Sequence, residues 1–338
     1  MYESFYGFRE RPFDLTPNPR YLVLTDAHRE ALSNLEYGIA SRKGITLLIG
    51  EAGTGKTTVI RAAMERQPDR VHCVQVQNPA LTRVEFVEML ATRFNLSDRA
   101  RTSKTAFLLE LEALLERRRD EGEWSVLVMD EAQSLPLDLL EEIRLLANME
   151  AGGQMLLSVI LAGQPELAER LNEQTLRQLK QRIALRCELR PLTLPETCAY
   201  LAGRIRAAGG VGAQAFTREA VIRIHERAKG IPRTVSVIAD NALLTGFAVD
   251  QRPVGTKIVQ EVCRDLDLEA DHTPPPNVAT AGAASAPPTV ERRETGRLIT
   301  FGPPLTGDTT SEDDGNPDAR ARFGTDPPRR WRFSFFGN

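Results

Sequence analysis

Cysteine is scarce and scattered in this sequence: 338 residues hold four, Cys73, Cys187, Cys198 and Cys263, with no CxxC pair among them. That excludes a disulfide-stapled scaffold and a cysteine-built zinc site, so the four read as reduced thiols inside apolar segments. Histidine is equally thin, and His28, His72 and His225 share no metal-ligand spacing with each other or with Cys187, so each reads as a packing residue. No run of about 18 apolar residues occurs, and no basic start leads into an apolar stretch. Neither a membrane span nor an export signal is therefore expected, and the default compartment is the cytoplasm, with peripheral attachment at the inner membrane left open. Charge of one sign is also lacking. A formal net charge of −3 and a pI near 6.0 give no global pull toward nucleic acid or anionic lipid.

What the chain does have is four stretches of different character. Residues 1–44 begin with an aromatic and proline-rich segment whose rings should pack onto a larger body, the core of residues 45–190, followed by a helix from Asp26 with apolar positions at Leu32, Leu35 and Ile39. Residues 45–190 alternate amphipathic stretches with short apolar runs: ITLLI, VHCVQV from Val71, SVLVM from Ser125, LLSVILA from Leu156 and IALRCEL from Ile183. Runs apolar on both faces suit a parallel sheet covered by helices, which predicts a three-layer α/β domain. Within it a helix is expected from Leu135 to Met149, with Ser134 as its N-cap.

Residues 191–268 read as all-helical, opened by a capping box of Thr193 and Glu196. Residues 269–338 are rich in proline, with PPP at Pro274 and an acidic cluster at Glu312, Asp313 and Asp314, and are expected to be disordered. Their end, RRWRFSFFGN, sets three cations beside Trp331, Phe333, Phe335 and Phe336. It reads either as a solvated tail or as a docking peptide for a partner or membrane surface.

The chemistry concentrates in the second stretch. Gly50, Glu51, Ala52, Gly53, Thr54, Gly55, Lys56 and Thr57, followed by Thr58, fit G-x4-G-K-[ST] between an apolar strand and a helical pattern. Such a loop points successive backbone N–H groups at phosphates lying at a helix N-terminus. Lys56 would pair with the β and γ phosphates of a nucleotide such as ATP, and Thr57 would hold Mg2+. A second apolar strand ends in Asp130 and Glu131, the first suited to hold Mg2+ through water and the second to act as general base. A third ends in Ala162, Gly163 and Gln164, where Gln164 is either a turn residue or a sensor of the γ-phosphate. The cationic stretch Leu176–Arg182 reads as a solvated face or as an arginine finger, with Arg182, or failing it Arg177, reaching a neighbouring subunit. Arg233, in the first turn of a helix begun by Pro232, opposes the helix dipole and so has no local stabilising role, which favours service to phosphates.

Taken together, MYESFYGFRERPFDLTPNPRYL with His28 and Leu32 after it, GEAGTGKTT, VLVMDEAQ, LAGQPEL, LRQLKQRI and GIPR followed by ADNALL resemble the general secretion pathway protein A type of AAA+ ATPases, over roughly residues 1–268. The resemblance implies a RecA-like αβα P-loop sandwich with a small helical lid, ATP and Mg2+ as cofactors, and ring-type self-assembly. It implies Walker A roles for Lys56 and Thr57, Walker B roles for Asp130 and Glu131, first and second sensors at Gln164 and Arg233, and a finger at Arg182. Partners would be components of an envelope secretion, pilus or polysaccharide export system. A DNA-associated AAA+ ATPase, helping transposition or initiation, is the alternative, kept open by Arg117–Arg119 and Arg177–Arg186. Ser236 stands where relatives usually place asparagine. The tail stands where well-known members continue into a membrane span and a peptidoglycan-binding domain, so peptidoglycan contact is not expected.

Overall fold

Each of the apolar runs forms a strand. The computed structural model describes residues 1–14, 25–77 and 81–268, all within the unit Met1–Pro275. The expectations for residues 269–338, including the aromatic-basic end, lie outside the described residues.

The chain opens with a short helix α1 (Glu3–Tyr6) and then α2 (Asp26–Ala40), which begins where the Thr25 side chain accepts the His28 N–H. Alternation follows: β1 (Ile45–Gly50), α3 (Lys56–Glu65), β2 (Val71–Val76), then α4 (Arg83–Arg93), α5 (Asp98–Thr102) and α6 (Lys104–Asp120). Next come β3 (Trp124–Met129), α7 (Leu137–Leu146), a small hairpin of β4 (Glu150–Ala151) and β5 (Gln154–Met155), β6 (Leu157–Gly163), α8 (Pro165–Arg170), α9 (Arg177–Gln181) and β7 (Ile183–Leu189). From there the described chain is helical: α10 (Leu194–Ala207), α11 (Gly212–Ala215), α12 (Arg218–Ala228), α13 (Pro232–Ala248) and α14 (Thr256–Asp265).

The five long strands make one parallel sheet in the order β2-β3-β6-β1-β7. Strands β1, β3 and β6 are buried throughout, as a sheet covered on both faces demands. At the edge, β7 alternates exposed Arg186 and Glu188 with buried Cys187 and Leu189, so one of its faces meets solvent. One face of the sheet packs Leu47, Leu127 and Leu161 against Phe86 and Leu90 of α4, Phe107 and Leu111 of α6, and Leu139 and Ile143 of α7. The other packs Leu48, Val126, Val128 and Ile160 against Leu32 and Leu35 of α2 and Val59 and Ile60 of α3. The fold is thus the expected αβα P-loop sandwich, followed by helices.

Two local expectations differ from what is found. The helix after β3 starts at Leu137 with Pro136 at its N-cap, because Ala132–Ser134 first forms a turn of 3₁₀ helix that uses Ser134 internally. The aromatic rings of the first segment do not lie on the sheet. Tyr2, Tyr6, Phe8 and Phe13 are buried with Leu201, Ile205, Phe216, Val235 and Leu243 of the helical layer. Polar anchors fix them there: the Tyr6 hydroxyl donates to the Leu243 carbonyl at 3.2 Å and the Tyr2 hydroxyl to Asp240. The buried Arg204 guanidinium donates to the Pro12 carbonyl at 2.7 Å and the Asp14 carbonyl at 2.8 Å, and also to the Tyr200 hydroxyl and Ser236 Oγ. Ser236 therefore has a polar role in the lid, accepting from Arg204 and sharing a hydrogen with Tyr200 at 2.7 Å.

Candidate nucleotide site

Strands β1, β3 and β6 are neighbours or next-neighbours, and their carboxyl ends carry Gly50, Asp130 and Gln164 respectively. A parallel sheet binds ligands outside these ends, where helices start and backbone N–H groups lack partners. After Gly50 the loop turns through left-handed Gly53 (φ 81°) and Gly55 (φ 101°) directly into α3. Thr54, fully buried, ties the turn together by donating its hydroxyl to the Glu51 carbonyl at 2.8 Å. Glu51 and Ala52 face solvent, and Thr58 is half-buried on α3.

Lys56 is 4% exposed, and its ammonium donates to the carbonyls of Gly50 at 2.7 Å and Glu51 at 3.1 Å. Burial lowers its pKa, opposed by the charges of Glu131, Asp130 and Glu166. Those three acids therefore feel the same ammonium, including Glu166 of α8, which the sequence did not single out. The Thr57 hydroxyl donates to Asp130 Oδ2 at 2.8 Å, which joins the loop to the end of β3. Asp130 Oδ1 accepts the Glu131 N–H at 3.0 Å. Glu131 itself has φ 54° and ψ 36°, a left-handed conformation that costs a non-glycine residue about 1 kcal/mol or more and that aims its side chain back over the strand ends. Its Oε2 accepts from Gln133 Nε2 at 2.6 Å and from Gln164 Nε2 at 3.4 Å.

The structure thus brings together Lys56, Thr57, Asp130, Glu131 and Gln164. Arg233 arrives from the helical layer. Its backbone N–H donates to the Gly53 carbonyl at 3.2 Å, and a Cβ built on Gly53 would lie 2.7 Å from Arg233 Cβ, so only glycine admits this contact. Arg177 and Arg182 are not brought in. Both are exposed on α9 and its C-cap, and among the described residues their guanidinium groups have no hydrogen bond or ion pair.

Besides Glu166, two residues of the site were read otherwise or not at all. His28, expected to be packing, places Nε2 3.0 Å from the Thr54 carbonyl and Nδ1 2.6 Å from Thr25 Oγ1. A carbonyl only accepts, so Nε2 carries the hydrogen and Nδ1 takes the Thr25 hydroxyl proton: the imidazole is neutral and buttresses the loop from behind. Burial lowers its pKa, consistent with that form. The usable signal was Thr25 standing three residues before His28 at a helix start. Gln133 was visible only as the last letter of VLVMDEAQ, with no rule of spacing to give it a partner.

Residues 39–171 match the family model described as an AAA domain, the P-loop class that this sheet order and these strand ends define. Over 249 residues the chain is 41% identical to general secretion pathway protein A of Aeromonas hydrophila, an alignment covering 73% of this chain and 45% of that protein. The chain belongs to the AAA+ family that includes this relative, and it spans less than half of the relative's length. In fold it is similar to the Aeropyrum pernix ORC2 protein in ADPNP–ADP complexes, with a TM-score of 0.58 at 18% identity over 76% of this chain and 71% of that one. It is also similar to Aeropyrum pernix ORC1 in complex with DNA, with a TM-score of 0.56 at 19% identity over 77% and 70%.

Proposed function

We propose that this protein binds and hydrolyses ATP with Mg2+, and that the cycle drives or regulates assembly of a bacterial envelope secretion, pilus or polysaccharide export machine. The observation that supports hydrolysis is the convergence of a buried ammonium, a hydroxyl on a carboxylate, and a second carboxylate held by two amides, all at adjacent strand ends. The donor set suits the cofactor: Thr57 Oγ1 and Asp130 Oδ2 are hard oxygen ligands of the kind Mg2+ takes alongside phosphates. Among the described residues no cluster of three or more His, Cys, Asp or Glu could hold a metal by itself, so the ion would depend on the nucleotide's oxygens. Bound Mg2+ would supply charge neutralisation at the phosphates.

The chain's own groups then divide the work. Lys56 binds β and γ phosphate oxygens, with Gly50 and Glu51 carbonyls as its present partners. Thr57 and Asp130 would hold the ion. Glu131 accepts a proton from the attacking water, and Gln164 contacts the γ-phosphate or that water. Arg233 brings the lid to the phosphates through the Gly53 contact. The exposed guanidinium of Arg182, or of Arg177, serves a neighbouring copy in a ring, which fits its lack of partners among the described residues.

The export role is supported by relatedness to general secretion pathway protein A, and attachment at the cytoplasmic face of the inner membrane accords with it. Among the described residues no helix is long and apolar enough to cross a membrane. The DNA-associated alternative loses part of its support in the fold. Arg118 is half-buried and donates to Ser125 Oγ at 2.8 Å, and Arg119 pairs with Asp120, so two of the three arginines of this basic run are already engaged within the chain and only Arg117 stands exposed. The test is calorimetry with Mg-ATP and a phosphate-release assay, each with and without DNA. Binding with turnover unchanged by DNA is expected; no heat with any purine triphosphate overturns the reading, and strong salt-sensitive DNA stimulation moves it to the alternative.

A further inference from the structure

Gln133 has both ends of its side-chain amide engaged within the site. Nε2 donates to Glu131 Oε2 at 2.6 Å, and Oε1 accepts the backbone N–H of Gln164 at 3.1 Å. Its backbone carbonyl is in turn held by Arg170 of α8. The amide also sits close to the end of β6: a Cβ built on Gly163 would lie 3.0 Å from Gln133 Oε1 and 2.6 Å from Leu167 Cδ2, so the glycine makes room for both side chains. One side chain therefore spans from the end of β3 to the start of α8, and its position is fixed at three points.

The distribution of bonds on Glu131 gives this span a direction. Both amide donors, from Gln133 and Gln164, fall on Oε2, whereas Oε1 has no hydrogen-bond partner among the described residues. A carboxylate fixed through one oxygen leaves the other in a defined place with its lone pairs open, which is what a proton acceptor for water requires.

We propose that Gln133 is a positioning residue for hydrolysis. It sets the Glu131 carboxylate so that Oε1 faces the water, and it fixes the Gln164 amide in the same register, so the general base and the sensor move as one unit. The proposal rests on the hydrolytic reading above and deepens it.

Three variants test it. Gln133→Met keeps the length and volume against Gly163 but removes both hydrogen bonds. Gln133→Glu keeps the acceptor and turns the donor into a repelling charge. Gln133→Ala removes all of it. Expected are a kcat lowered roughly 10- to 100-fold in Met and Ala, and further in Glu, with Kd for Mg-ATP by calorimetry within about twofold of the parent. Placed on Glu131→Gln, the Met change should have no further effect on nucleotide affinity. A readout independent of turnover is the Gln133 side-chain amide resonance in nucleotide-free protein, identified by its loss in Gln133→Met. It should be protected from solvent exchange, and Glu131→Ala should abolish the protection.

Turnover of Gln133→Met at the parent rate, a rise in rate, an unprotected amide, or a loss of ATP affinity equal to the loss of kcat would each overturn the positioning role. A parent protein that binds nucleotide without turning it over would overturn the hydrolytic reading instead, and the amide measurement keeps the two failures apart.

Discussion

Lys56 and Arg182 are both cations at the end of a structural element, and they live in opposite conditions. Lys56 is buried, with its ammonium on two carbonyls of its own loop, while Arg182 is exposed and without side-chain partners among the described residues. The same contrast separates their neighbourhoods. Around Lys56, Thr54 is tied to Glu51, and Thr57, Asp130, Glu131 and Gln133 are bonded in series, whereas Arg177, Lys180 and Arg182 on α9 and its C-cap face solvent with, among the described residues, only the Lys180 side chain bonded, to Asn172. The first region is preorganised within one chain, so desolvation makes its contacts strong. The second is pre-exposed, and its energy can be realised only against something outside it.

The sharpest way to break this contrast is to remove each side in turn. Lys56→Ala should abolish detectable nucleotide binding in calorimetry, while Glu131→Gln should keep binding and lower turnover by about 10³-fold or more. Normal hydrolysis by the glutamine variant would remove Glu131 from the chemistry. Arg182→Ala should lower turnover by roughly 10²- to 10³-fold while leaving ATP affinity of the isolated chain near that of the parent. Mixing it with Glu131→Gln protein should restore activity, since each then supplies what the other lacks; absence of restoration would make Arg182 a residue of its own chain.

Smaller effects should appear where the lid meets the loop. Gly230 has φ 73°, and a Cβ there would lie 2.2 Å from the Leu192 carbonyl oxygen, held close because the Leu192 N–H donates to the Gly230 carbonyl at 2.7 Å. Gly230→Ala should cost about 2–4 kcal/mol in chemical denaturation, because the backbone must move and not a side chain.

The smallest effect belongs to His28. Its native pKa lies below that of the unfolded chain, so the unfolded state binds the proton more readily, and stability present above about pH 6.5 is lost as pH falls. The hydrogen bond to the Thr54 carbonyl and, after it, the charge of Glu196 act in the opposite sense and moderate this. His28→Gln should flatten the acid side of a thermal-midpoint profile between about pH 7.5 and pH 5. An unchanged acid slope would mean that His28 is not the group responsible.

How much of this was legible in the sequence follows from the range of the interactions. Gly50–Thr57 and the Asp130–Glu131 strand end were readable because loop, strand and helix are contiguous and the spacing itself is the constraint. The capping box of Thr193 and Glu196 was readable for the same reason, and both of its bonds are present. Ser134 misled because a local cap rule does not know that Ala132–Ser134 must first bring Gln133 under β6. The destination of the aromatic segment was not readable, since Tyr2, Phe8 and Phe13 meet partners near residues 200–250 and no periodicity links them. Gln133 was hidden by the same distance: its second partner, Gln164, lies 31 positions on.

The direct contact of Arg233 with Gly53 makes α13 a lever arm. Its 17 residues give a rod of about 25 Å, seated at one end on the phosphate loop with no side chain between the two backbones. At its other end Phe247 meets Phe5 edge to face, with ring centroids 5.5 Å apart. A tilt of about 5° at the loop would swing that far tip by about 2 Å, a distance comparable to what separates a packed ring pair from a broken one.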